Sequence, residues 1–213
     1  MTESETALKA ERLRLLGPKL GEYYHHLWRE LNAVHMRWHE LTRIFGQGPE
    51  VIDLVNDVAP LYFTIVLGAQ WREVVIGICA FSDKATIGGN STVSFRGLRI
   101  QVTDKLIQQA LMEAICRFEG TLDSIWLMRD KSLAHWDEEV VLGIKVPTVT
   151  ISEVRASLLA AEEVMITFEQ AYGLGQFDYE HQLDPNNGTT ELLRYLTAGK
   201  KAIDQENDRL AKS

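Results

Sequence analysis

The stretch Lys19 to Phe45, KLGEYYHHLWRELNAVHMRWHELTRIF, decides the fold class. Its positions Tyr23, Leu27, Leu31, Val34, Trp38, Leu41 and Phe45 step by three or four residues, which is the spacing of one face of an α-helix. Gly46-Gln47-Gly48-Pro49 then closes it in the Gly-before-Pro order found past a helix C-terminus. Working outward, residues 1–16 carry Leu8, Leu13, Leu15 and Leu16 among charges and predict a short amphipathic helix stopped at Gly17-Pro18. Further helices are predicted from about Pro60 to Ser82, from Thr103 to Ala134 with a break at Gly120 and a restart on Thr121 as N-cap, and from Thr189 to Ala211. Thr150-Ile151-Ser152-Glu153 fits a capping box and opens a helix to Tyr172, closed by Gly173. Ala85 to Ser94 reads as a loop, and Glu139 to Val149 as a loop or short hairpin. The pattern predicts an all-α, up-and-down helical bundle. It predicts a single domain, 1–213, with its core at about 19–172 and appended helices at 1–17 and 188–213.

Composition narrows the function classes. The formal net charge is -8, so the whole-molecule field repels polyanions, and nucleic-acid contact must rest on a local group of Lys and Arg. Cys79 and Cys116 lie in apolar helical stretches without CxxC spacing; they predict small buried hydrophobes in a reducing compartment. The polar N-terminus has no apolar signal segment. Val58 to Phe81 is apolar but interrupted by Gln70, Arg72 and Glu73. It predicts a core helix of a cytoplasmic protein with no membrane association.

Chemistry concentrates in Leu127-Met128-Arg129-Asp130-Lys131-Ser132-Leu133-Ala134-His135-Trp136-Asp137. In a regular α-helix Arg129 and His135 would be separated by about 600° of rotation and would not share a face. Their convergence on one substrate requires a helix end between them, or two copies of the motif meeting across a dimer. A monomer with an unbroken α-helix through 129–135 is expected to be inactive. The bland reading of the same residues is a solvated helix end, with His135 favoured there by the helix dipole.

The string Arg129-Asp130-Lys131-x-x-Ala134-His135-x-Asp137 resembles the signature of the HEPN superfamily, and its fuller form resembles the abortive-infection U-type branch. Phe81-Ser82-Asp83 and the loop after it are also similar to that branch, and the likeness covers roughly residues 20–170. The resemblance implies a bundle of HEPN type with additional terminal helices, and a metal-independent ribonuclease acting as a toxin or antiviral effector. It implies a homodimer whose paired motifs form one cleft, with no cofactor and no metal, and an antitoxin protein as a possible partner. Carried onto this chain, His135 acts as general base or acid on the RNA 2′-hydroxyl and Arg129 holds the scissile phosphate. Asp130 orients either of them. Lys131, Trp136 and Asp137 are placed in substrate binding, Trp136 by stacking on a base. A non-catalytic module binding a nucleotide, RNA or a protein is the alternative. A related HEPN group carries a tyrosine that accepts AMP at the position of Trp136; tryptophan has no such nucleophilic oxygen.

Other candidates are weaker. His35 and His39 stand at i, i+4 on the long helix, a spacing that can present two metal ligands, but no third ligand stands at matching spacing. Ser132 lies near His135 without a G-x-S-x-G context. From 96 to 131 six basic side chains face five acidic ones, which is less negative than the chain average without forming a basic patch.

Overall fold

The computed structural model describes residues 3–134, 138–143, 147–175, 179 and 188–212. The chain is all-α, as expected. Helix α1 (Glu3–Leu16) is followed by α2 (Pro18–Phe45), α3 (Pro49–Val58) and α4 (Pro60–Phe81). A short hairpin, β1 (Thr86–Ile87) and β2 (Asn90–Ser91), leads to α5 (Phe95–Gln101), α6 (Lys105–Glu119) and α7 (Asp123–Met128). Arg129–Ala134 winds as a π-helix, and α8 (Glu138–Val141), α9 (Ile151–Ala171) and α10 (Thr189–Leu210) follow.

The differences from expectation have local causes. Pro49 and Pro60 each start a helix, because a first-turn residue has no intrahelical use for its N–H. A separate α3 therefore forms where the sequence pattern indicated none. Gly88 and Gly89 take φ of 55° and 84°, and this pair of left-handed residues turns the expected loop into a two-residue hairpin pairing Thr86 with Ser91 and Ile87 with Asn90. Ser94 caps α5 through Gly97 N–H, and the Asp104 carboxylate accepts from Leu106 and Ile107 to start α6. Thr121 is not a cap; its hydroxyl donates back to Phe118 O at 2.7 Å. Within 139–149 the end of α8 occupies residues 139–141, while the other described residues, 142–143 and 147–149, form loop as expected. The capping box at Thr150 is present in full.

Two compact units divide the chain, Met1–His35 with Val74–Tyr179, and Met36–Glu73 with Glu180–Ser213. The first is centred on α9, whose buried face (Val154, Leu158, Ala161, Val164, Met165 and Phe168) packs mainly against α6. Phe95 joins this core between Phe81, stacked at 5.1 Å, and Phe118, edge-on at 5.3 Å. Among the described residues of α1 the buried one is Arg12, not the leucines, and Leu15 is 52% exposed. The Arg12 guanidinium covers the rings of Tyr24 and Trp28 at 4.8 and 3.9 Å and contacts His25 Nδ1 at 3.0 Å. Below it the fully buried Glu169 accepts from Tyr24 at 2.8 Å and Tyr179 at 3.0 Å. Along α2 the buried ridge is Tyr24, Leu27, Leu31, Val34, Trp38, Leu41 and Ile44, one residue off the expected ridge at each end.

In the second unit Ile44, Val55 and Phe63 form a small core with Leu193 and Leu196 of α10. The Thr189 N–H that opens α10 donates to Glu40 Oε2 at 2.6 Å. Helix α4 is core on one side only: Leu61, Tyr62, Ile65 and Ile76 are exposed. By length and composition alone it could cross a membrane, with 28% of its most apolar window buried. Cys79 is buried as expected; Cys116 is exposed, because the core-facing residues of α6 are Leu111, Ala114, Ile115 and Phe118.

Candidate functional site

The site is built where α7 gives way to the π-helix. Helix α7 is short and is pinned by the fully buried Ile125. One step further, the Trp126 indole N–H donates to Ser82 Oγ at 3.1 Å, and Ser82 in turn donates to Cys79 O at 2.8 Å. The end of α4 and the end of α7 are thereby held together. The Arg129 guanidinium lies 4.5 Å over the Trp126 ring and donates through NH1 to Asp130 Oδ1 at 3.1 Å. A cation over indole gains from the ring quadrupole, so the arginine is held on two sides.

At this residue the α-helical hydrogen-bond pattern stops. The wider i→i+5 winding through Arg129–Ala134 is rare and recurs at functional sites. It removes the premise of a regular α-helix through the motif, on which the 600° separation rests.

Arg129 opens on a cleft of about 500 Å³ lined by Ser82, Asp83, Lys84, Ile87, Arg96, Glu119, Leu122, Trp126 and Arg129. The hairpin forms one wall, fixed where Thr92 N–H donates to Ala85 O at 3.0 Å and its hydroxyl to Lys84 O. Opposite, Arg96 meets Glu119 in a two-pronged pair, Nε at 2.6 Å and NH2 at 2.8 Å. That hydrogen bonding raises the Arg96 guanidinium above its ordinary value. Burial pushes the Asp83 carboxyl up, and the Arg129 charge pulls it part of the way back. Burial also pushes the Cys79 thiol up to about 12, so this cysteine beside the site is a protonated, inert group near neutral pH.

Of the residues singled out from sequence, Arg129 lines the cleft and Asp130 is its exposed partner. Lys131 is half-buried on the π-helix. His135, Trp136 and Asp137 lie outside the described residues. Lys84, Arg96, Glu119 and Trp126 were not legible as site residues. Their spacing carries no motif, and only the fold brings α4, the hairpin, α5, α6 and α7 to one cavity. The basic side chains of 96–131 are largely spoken for, Arg96 by Glu119, Arg117 by Glu163 and Arg129 by Asp130. On α2, the buried His35 has its Nε2 3.0 Å from Glu162 Oε1, outside hydrogen-bond geometry.

A family model described as AbiU2, of HEPN type, matches residues 17–193. The chain belongs to the AbiU2 family of HEPN proteins. It is thus an abortive-infection HEPN module, the U-type branch that the Arg129–Asp137 string resembles. The match takes in α2 through α9 and the start of α10, and it leaves α1 and the rest of α10 outside the AbiU2 region. No curated protein and no solved structure matches the chain.

Proposed function

We propose that this AbiU2 chain is a metal-independent endoribonuclease of a toxin or phage-defence system, working as a homodimer in which two Arg129-x5-His135 motifs share a cleft. The observation that carries the reading is Arg129. It is clamped between Trp126 and Asp130 at the point where the helix changes winding, and it faces a cavity large enough for a nucleotide. A guanidinium already held in place loses little freedom on meeting a phosphate and offers it paired donors.

In this reading His135 takes the proton from an RNA 2′-hydroxyl as its oxygen attacks the adjacent phosphorus. The bond from phosphorus to the 5′-oxygen breaks, that oxygen takes up a proton from water, the proton on His135 returns to solvent, and a 2′,3′-cyclic phosphate remains. Arg129 stabilises the charge that develops on the phosphoryl oxygens. Asp130 keeps Arg129 oriented, Lys131, Trp136 and Asp137 contribute to RNA binding, and an antitoxin protein would act by covering the cleft.

The test is purified protein with RNA in EDTA, beside Arg129→Ala and His135→Ala. Cleavage by the wild type and its loss in both variants is expected. No cleavage, or cleavage indifferent to His135→Ala, refutes the proposal. The second reading, a nucleotide-binding module without turnover, is favoured by one point: Lys84, Arg96, Arg129 and Trp126 line the cavity with cations and an aromatic ring, which suit a phosphate and a base. Nucleotide binding that survives His135→Ala in a protein that cuts no RNA would establish it.

A further inference from the structure

We propose that the cleft beside Arg129 is a guanine pocket, with Asp83 as its specificity-determining residue, selecting the base next to the phosphate that Arg129 holds. The inference rests on the ribonuclease reading for its substrate, RNA, but the pocket itself is read from other residues.

The lining has three chemically distinct parts. Asp83 supplies a half-buried carboxylate that makes no hydrogen bond or salt bridge with a described residue, although Arg129 acts on it electrostatically. Lys84 and Arg96 supply cations; Arg96 spends Nε and NH2 on Glu119, which leaves NH1 outside that pair. Ile87, Leu122 and Trp126 supply apolar and aromatic surface. Glu119, the other carboxylate of the cleft, has both oxygens engaged by Arg96, which holds it in a pair and leaves Asp83 as the carboxylate without such a partner among the described residues.

Each part answers one portion of guanine. Its N1–H and N2–H are adjacent, parallel donors, which two carboxylate oxygens accept together. Its O6 and N7 are adjacent acceptors, the pair that Arg and Lys recognise. Its ring faces need apolar or aromatic walls. No other RNA base meets all three. Adenine and cytosine set an amino donor beside a ring-nitrogen acceptor, so a carboxylate meets a lone pair at one of its two oxygens. Uracil has one N–H flanked by two carbonyls. A mismatched base leaves a polar group of the cleft unpaired, and that loss discriminates more strongly than the pairing itself attracts.

The experiment uses the full chain in EDTA with two readouts. Calorimetric titration with the 5′-monophosphates of guanosine, adenosine, cytidine and uridine reads the pocket without any cleavage. Digestion of RNA oligonucleotides that differ only in the position of a single guanine reads its use. The wild type is expected to bind the guanosine nucleotide about tenfold or more tighter than the other three, the discrimination of one good bidentate pair. Asp83→Asn, nearly the same shape, should bring the four nucleotides within about threefold, since an amide matches only half of the donor pair. The exposed Lys84→Gln should weaken the guanosine nucleotide without changing the circular dichroism spectrum, which keeps the test valid if Asp83→Asn does not fold. RNA cleavage without guanine preference, or a preference that Asp83→Asn leaves intact, overturns the pocket while the ribonuclease reading stands. A guanosine preference that Asp83→Asn abolishes, in a protein that cuts no RNA, upholds the pocket and overturns the ribonuclease.

Discussion

Removing the Glu169 carboxyl is expected to cost this protein a large part of its stability. Glu169 is 0% exposed and takes two hydroxyl bonds, from Tyr24 at 2.8 Å and Tyr179 at 3.0 Å. Its charge also supports the buried Arg12, whose guanidinium burial pulls below its ordinary value. Glu169→Ala leaves two buried hydroxyls short of an acceptor, at roughly 1–3 kcal/mol each. It also strips the carboxylate from a buried cation, a change of roughly 3–5 kcal/mol when such a pair is broken. These costs overlap, because all four groups share one network, so we expect a net loss of about 4 kcal/mol, comparable with the lower end of whole-domain stabilities. Glu169→Gln keeps an acceptor oxygen and loses only the charge, so about 1–2 kcal/mol is expected, the difference between charged and neutral acceptors. Urea unfolding followed by tryptophan fluorescence reads both, provided the slope is unchanged between variants. If Glu169→Ala costs less than about 1 kcal/mol, or if the two substitutions cost the same, the carboxylate does not organise this core.

Two more predictions concern the same unit. Burial, then the charges of Arg12, Lys9 and Arg29, hold His25 below its ordinary value of 6.5 against the opposing Glu5. The unfolded chain therefore takes up this proton first, and stability should fall as the pH drops from about 6.5 toward the lower folded value, by up to about 1.4 kcal/mol per pH unit. His25→Gln should flatten that part of the pH profile in urea titrations, and an unchanged slope would contradict the assignment. A Cβ on Gly97 would stand 2.6 Å from the Thr92 carbonyl and 3.2 Å from the Tyr23 ring. Gly97→Ala should thus lower stability by about 1–3 kcal/mol and speed amide exchange across residues 84–97, the hairpin wall of the cleft. Exchange unchanged there would show that the hairpin is held by other contacts.

How legible the molecule was depends on the range of the interactions. The capping box at Thr150, the stop at Gly17-Pro18 and the spacing along α2 are local, completed within one helical turn or along one face, and sequence alone located them. The family was legible for a similar reason: Arg129 to Asp137 lies in one continuous stretch. On α1 local pattern erred because a distant partner outweighed it. Arg12 is buried in place of the leucines of α1 because Tyr24, Trp28 and His25 offer it ring faces and an acceptor.

The sequence by itself determined the fold class, most helix positions and the membership in the AbiU2 family, since periodicity, caps and a contiguous motif are written along the chain. Tertiary structure alone decided the cleft. Lys84, Arg96, Glu119 and Trp126 come from four separate stretches, and no spacing links them to one another or to Asp83, which the family resemblance had marked. It also decided the winding at Arg129, where α7 passes into a π-helix beside the Ser82 that Trp126 grips. A cavity is a property of how elements pack, so its chemistry can be assigned only after the chain has folded around it.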